Sequence, residues 1–330
     1  MISLSAMKIL FIADVWDTLD HARDSTLHLA AHASNELGFR CFWSTPADLF
    51  LLNGQLFARA SELAKDAATL NAQSSASGVH PLSDYHSIHW RADPPVDLMT
   101  YQLWSLLMSA PKPLKIFPPP AALLSWNEKF SPTRFGDSAI PALVTHKTAD
   151  LEKFAQKIFE KRAKLVLKPA GDAASRGVVL LSPPYTQETA SKISEHFAKH
   201  GPWLVAQEFD VALLEKGETR AFIIDGKLEG VLGKKPSANQ PIMSLDAVDE
   251  AKPTLKVVEL TAPQKKIVEA VSKALSNEQI LLSTIDFIGD RILEINVTSA
   301  GLLKWMDENG HELGKKYWHA VLKRCKAEAH

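Results

Sequence analysis

Apolar residues along this chain alternate between short unbroken runs and longer segments with helical spacing, with loop-type stretches between them. "MKILFIAD", Met7 to Asp14, is an apolar run ending in an acid, as expected of a first parallel strand buried on both faces. "STLHLAAHASNELG" then shows helical spacing between a Ser start and a Gly stop. "FRCFWSTP" reads as the next strand. Strand, helix, strand predicts an α/β chain with a parallel sheet. Leu51 to Asp66 fits strand and helix equally, and "NAQSSASG" is a loop by composition. "SIHWRADPPVD" reads as a strand running into a Pro-Pro turn, and "LMTYQLWSLLM" as an apolar helix. A division is expected near Trp126, giving an N-terminal unit of residues 1–126.

Beyond it, "KTADLEKFAQKIFEKR" is an amphipathic helix, and "AKLVLKPAGDAASRGVVLLSP" is a strand, a small-residue loop and a strand. "SKISEHFAKHG" is helical and "PWLVAQEFD" is a strand, so residues 127–204 are expected to form a second unit. In the third, 205–330, "ETRAFIIDGKLEGVLGK" is a hairpin turning at Asp225-Gly226, a strong two-residue turn signal. Ser237 to Leu255 is expected to be a loop. "APQKKIVEAVSKALSN" is a helix, "LSTIDFIGDRILEINVTSAG" is a hairpin turning near Gly289-Asp290, and a last helix covers about Lys315 to Lys326.

Composition narrows the field. With 37 Lys plus Arg against 38 Asp plus Glu, the net charge of -1 gives no electrostatic reason to expect nucleic acid or an acidic membrane as partner. No apolar run reaches the roughly 18 residues that span a bilayer. The two cysteines, Cys41 and Cys325, lie far apart and form no metal spacing. That pattern suits a reducing cytoplasm. The twelve histidines show no ligand spacing and read as surface residues.

The last hairpin carries the sharpest chemistry. Glu294 and Asn296 share a face by the two-residue strand period, and Asp286 stands on the partner strand. Three oxygen donors on one surface suit a hard cation such as Mg²⁺ that also takes phosphate oxygens. The plainer alternative is a solvated acidic face, but the apolar flanks argue against it, since unpaired carboxylates among them would cost several kcal/mol in order of magnitude. A second candidate is the loop after Lys168, with Gly171, Ala173, Ala174, Ser175 and Gly177. Small residues let backbone N–H groups approach phosphate, although such a loop alone reads equally as a plain hairpin. Glu218 and Arg220 begin a strand, and Lys129 begins a helix; alone, a surface ion pair and a solvated lysine describe them.

Taken in order, these features resemble bacterial glutathione synthetases of the ATP-grasp superfamily. The matching stretches are "KILFIADVWDTL", "RADPPVD", "NEK", "PALVT", "LKPAGDAASRGV", "GETRAFIIDG", "IDFIGD" and "EINVTS", from about residue 8 to 300. The resemblance implies an ATP-grasp fold: an N-terminal α/β substrate domain, then two subdomains clasping ATP. It implies an ATP-dependent ligase that joins γ-glutamylcysteine to glycine through an acyl phosphate. Lys129 and Lys168 would contact the nucleotide, Gly171 to Gly177 would cover the phosphates, Glu208 and Phe209 would line the adenine, and Glu218 would hold the ribose. Asp286, Glu294 and Asn296 would bind one or two Mg²⁺ ions, and Arg220 and Lys234 would serve the transferring phosphate. Family members are commonly tetramers, so the implied assembly is a homo-oligomer.

The chain departs from the family in two places. "DAASR" replaces most of the phosphate-loop glycines, and Ser237 to Leu255 lacks the Arg and glycines of the family's closing loop. Two alternatives stay open: a ligase of another acid and amine, or a nucleotide-binding protein without turnover. Asp14, Ser25, Thr26, Arg91 and Asp93 are further candidates for substrate contact, with a helix cap or a salt bridge as the alternative.

Overall fold

The computed structural model describes residues 7–65, 70–71, 77–110, 114–201, 203–236 and 253–327. Strand Lys8–Ile12 pairs in parallel with Arg40–Ser44 on one side and Ser87–Trp90 on the other, as a strand–helix–strand opening demands. The stretch that fitted either element is an antiparallel hairpin, Leu49–Leu52 with Gln55–Glu62. Its turn, Asn53-Gly54, has positive φ at both residues, which is the signature of a tight two-residue hairpin turn. Helix Ser25–Asn35 is capped by Asp24 rather than by its Ser: the Asp24 carboxylate accepts from Leu27 N–H at 2.7 Å. Ser25 is left to accept from the Leu303 backbone N–H at 3.1 Å, tying the C-terminal segment to the first helix.

Two further sheets follow. A four-stranded sheet runs Ala142–Thr145, Leu204–Glu208, Leu165–Pro169, Val179–Leu181 in spatial order. It has a core of its own, in which Leu151 and Ile158 of helix Thr148–Glu160 meet Leu165, Leu167 and Ile193. The division expected between residues 204 and 205 falls at the start of strand Leu204–Glu208, which pairs wholly within this sheet. A five-stranded antiparallel sheet then orders Thr254–Val257, Lys227–Lys235, Glu218–Ile224, Leu282–Ile288, Arg291–Asn296. Most of the expected loop Ser237–Leu255 lies outside the described residues, but its end, Thr254-Leu255, belongs to the edge strand of this sheet.

The final helix, Leu313–Ala327, holds the first and third units together. Trp318 is buried and donates its indole N–H to the Leu29 carbonyl at 2.9 Å. It packs edge-on to Phe11 and Phe39 in a cluster that also contains Phe222 and Ile224 of the five-stranded sheet. The same cluster corrects the reading of the histidines as surface residues. His89 is fully buried, bonded to Ser87 Oγ at 2.8 Å and Tyr317 OH at 2.6 Å, and burial pushes its pKa down to about 3, so it stays neutral. His196 is buried too.

Because Trp318 fills the seam between two sheets, Trp318→Ala should destabilise the protein by about 3 kcal/mol or more. A fall of several degrees in the thermal midpoint would bear this out, and an unchanged midpoint would contradict it.

Candidate active site

The four-stranded and five-stranded sheets face each other across a cleft holding about 190 Å³ of space open to water. Lys129, Lys168, Ser175, Glu208 and Phe209 line it, with Glu218, Arg220 and Lys234 from one hairpin and Asp286 and Glu294 from the other. These residues span more than 150 positions of sequence, and strand register brings them together. Arg220 pairs with Asp286 and Asp286 with Glu294 across three strands, and two positions along the same face Glu218 pairs with Lys234, so a row of charge crosses the sheet with a second pair beside it. A register shift after Asp286 keeps that carboxylate directly opposite Glu294.

The charges are buried and matched. Asp286 is 2% exposed and accepts a two-pronged bond from Arg220, Nε at 2.7 Å and Nη2 at 2.6 Å. Burial alone would raise the Asp286 pKa; Arg220 and Lys234 outweigh it and hold the carboxyl well below its usual range. Lys168 stands 3.4 Å from Glu294. Burial pulls the ammonium of Lys168 down in pKa, while Lys168 and Lys129 overcome the burial of Glu294 and keep it ionised. Lys234, not Lys235, points into the cleft, where it pairs with Glu218 and lies 3.8 Å from Asp286. Burial pushes the Glu218 carboxyl upward despite that lysine.

The donors suit Mg²⁺ in chemistry. Asp286 and Glu294 are ionised hard oxygens; Asn296 shares their face but is not among the residues lining the cleft, and its amide nitrogen donates to Asp286 at 3.1 Å and to Thr284 Oγ1 at 3.2 Å. Among the described residues no three His, Cys, Asp or Glu side chains form a closed cage. An ion held by Asp286 and Glu294 would need water or phosphate oxygens to complete its shell.

Two predicted loop residues lie elsewhere. Gly171 does not line the cleft; it packs on the N-terminal unit, where its carbonyl accepts from Val96 N–H at 2.7 Å. A Cβ there would sit 2.3 Å from the Val96 carbonyl oxygen, so glycine is needed for this joint. Gly177 also faces away, toward His200 and Pro169, at φ +66°. Asp172 to Arg176 supply the part of the loop over the cleft. Lys129 donates to the Asp172 carbonyl and so holds that loop down.

Sequence reasoning passed over Glu128. It is half-buried, and its carboxylate accepts from Val297 and Thr298 N–H at 3.2 and 3.1 Å, fixing the chain that leaves strand Arg291–Asn296. Its place beside Lys129 was the only available signal. Toward the N-terminal unit, Arg91 is buried and donates to Thr26 Oγ1 at 3.2 Å and the Ala300 carbonyl at 2.9 Å. Asp14 accepts from Asp93 N–H at 3.1 Å, and Asp93 accepts from Ser299 Oγ.

Known proteins match this arrangement along its length. Residues 128–310 match the family profile for the prokaryotic glutathione synthetase ATP-grasp domain, and residues 7–123 that for the prokaryotic glutathione synthetase N-terminal domain. A glutathione synthetase of Parasynechococcus marenigrum is 30% identical over 297 residues, covering 89% of this chain and 91% of the relative. One of Neisseria meningitidis is 25% identical over 323 residues, covering 96% and 98%. Among solved structures, D-cycloserine synthetase DcsG superposes with a TM-score of 0.66 at 14% identity over 96% of this chain and all of its own. D-alanyl-alanine synthetase A of Vibrio cholerae gives 0.62 at 14% over 97% and 99%. These two share the fold.

Burial raises the Asp14 pKa to about 6, with nearby Asp93 and Asp24 adding to the rise. A carboxyl raised in the folded state favours folding below its unfolded pKa near 3.8 and loses that advantage as pH climbs through 6. Asp14→Asn should therefore stabilise the protein at pH 7.5 by about 1 kcal/mol, after discounting for solvent screening, with no gain at pH 4. Thermal midpoints at the two pH values measure it, and an equal shift at both would contradict the assignment.

Proposed function

The chain belongs to the prokaryotic glutathione synthetase family and is an ATP-dependent C–N ligase; from that premise we propose that it joins γ-glutamylcysteine to glycine. The observation that supports this most is the row of charge across the five-stranded sheet, placed opposite Lys168 and the Asp172–Arg176 loop. ATP would lie between the sheets, its base near Phe209 and the end of strand Leu204–Glu208, its phosphates toward Lys129, Lys168 and Ser175.

Phosphoryl transfer asks for position and charge neutralisation more than covalent help. Transfer to the acid's carboxylate yields ADP and an acyl phosphate, and attack by the amine of glycine forms the amide and releases phosphate. Arg220 and Lys234 would balance charge on the transferring group. Asp286, Glu294 and Asn296 would hold Mg²⁺, which neutralises phosphate charge when bound. The chain's own work is to keep these carboxylates ionised, which Arg220 and Lys168 do, and to exclude water with the small-residue loop. The N-terminal unit, with Arg91, Asp14 and Asp93 facing the junction, would hold the small-molecule substrates. A homo-oligomer is the assembly this reading expects.

Lys168→Met should lower the rate of ADP release in the presence of γ-glutamylcysteine and glycine by roughly 10²–10³-fold, the usual cost of losing one charge-stabilising donor. It should do so with the fold retained, since the side chain's aliphatic part is preserved. Release by the wild type that needs no acid or amine, or a variant as fast as the wild type, would sink the proposal.

A further inference from the structure

Arg176 stands apart from the other cations of the cleft. Lys168, Arg220 and Lys234 pair with Glu294, Asp286 and Glu218 of the cleft walls, and Lys129 holds the Asp172 carbonyl of the loop. Arg176 lines the same cleft, yet its carboxylate partner, Asp172 at 3.0 Å, lies in its own loop. Its Nη2 reaches out of the nucleotide region and donates to the backbone carbonyl of Pro94, in the N-terminal unit. The side chain is 48% exposed. A neutral carbonyl is a weaker partner for a guanidinium than a carboxylate or phosphate, which accepts two parallel bonds.

The backbone is bent to make this reach. Ala174 and Ser175 have φ of 53° and 61°, in the left-handed region, a conformation that costs roughly 1–2 kcal/mol for each residue carrying a Cβ. Other tethers hold the loop independently: Val96 N–H to the Gly171 carbonyl at 2.7 Å, Asn127 Nδ2 to the Ala170 carbonyl at 3.2 Å, and Lys129 to the Asp172 carbonyl. Arg176 can therefore exchange its Pro94 contact while the loop keeps its place. Close by on the N-terminal side is Asp14, within electrostatic reach of the guanidinium. The guanidinium thus bridges the small-residue loop and the N-terminal unit through a contact to a neutral carbonyl.

We propose that Arg176 is a specificity-determining residue whose guanidinium leaves the Pro94 carbonyl and binds the carboxylate of the acid substrate. This rests on the ligase reading above and adds to it the residue that reads the acid. The phosphates of ATP have Lys129, Lys168 and Arg220 deeper in the cleft, whereas Arg176 lies at the edge where the acid must enter from the N-terminal unit.

The test is steady-state ADP release by the full chain with Mg²⁺-ATP, varying γ-glutamylcysteine, glycine and ATP in turn. Arg176→Ala should raise KM for γ-glutamylcysteine about tenfold or more, the worth of a hydrogen bond to a charged group, and leave KM for ATP and glycine within about twofold. Arg176→Lys should recover part of the loss, since charge remains and the fork does not. Unaltered binding of ATP to Arg176→Ala by calorimetry would confirm that the site is folded. An unchanged KM for the acid, or a rise confined to ATP, overturns the assignment and leaves Arg176 a tether of the phosphate loop. A wild type inert toward this acid and amine overturns the glutathione reading, and this proposal with it. An active wild type with an unaffected variant removes this proposal alone.

Discussion

The buried pair between Arg220 and Asp286 is the interaction on which the site depends. Two charges taken out of water cost several kcal/mol each in order of magnitude, and only close two-pronged geometry with further hydrogen bonds offsets that. Asp286 has both: two bonds from Arg220 and one from Asn296. Removing Arg220 would leave a buried anion on an interior strand of its sheet. Hydrophobic residues of similar volume could fill the same space with less desolvation, so stability alone does not account for the pair. A cleft that must neutralise phosphate does.

From that pair the remaining charges follow by register. Glu294 lies opposite Asp286 and takes Lys168 from the facing sheet, so the two sheets are joined by an ion pair across the nucleotide cleft. Glu218 and Lys234 form a second cross-strand pair two positions along the same face. The helix Leu313–Ala327 and its Trp318 fix the five-stranded sheet to the N-terminal unit, while the four-stranded sheet has a separate core. The architecture therefore places two firmly joined units on one side of the cleft and a self-contained unit on the other. The small-residue loop touches both, through Lys129, Val96 and Arg176.

Much of this was legible in the sequence, and the reason differs by element. The parallel opening and the two C-terminal hairpins carry strong local signals: an unbroken apolar strand, Asp225-Gly226, and Glu294 and Asn296 at two-residue spacing within an apolar frame. The hairpin Leu49–Leu52 with Gln55–Glu62 stays ambiguous between strand and helix in the sequence although Asn53-Gly54 marks it, because apolar content around it fits both periods. The burial of His89 had no local signal; it depends on Tyr317, 228 positions away. The fork between Arg220 and Asp286 likewise follows from strand order, which sequence spacing does not encode. Gly171 was assigned to phosphate because small residues suit it, whereas its need for space comes from Val96 of another unit. Composition marks the loop, and only the packing of the units says which of its residues face the cleft.

The central claim is that this cleft activates a carboxylate by phosphorylation. The most direct measurement is to supply γ-glutamylcysteine labelled with ¹⁸O in its cysteinyl carboxylate, with Mg²⁺-ATP and glycine, and to weigh both products by mass spectrometry. Passage through an acyl phosphate predicts glutathione together with inorganic phosphate carrying one ¹⁸O atom from the acid. Unlabelled phosphate with no glutathione would mean that water, not the acid, receives the phosphoryl group, and would contradict the account.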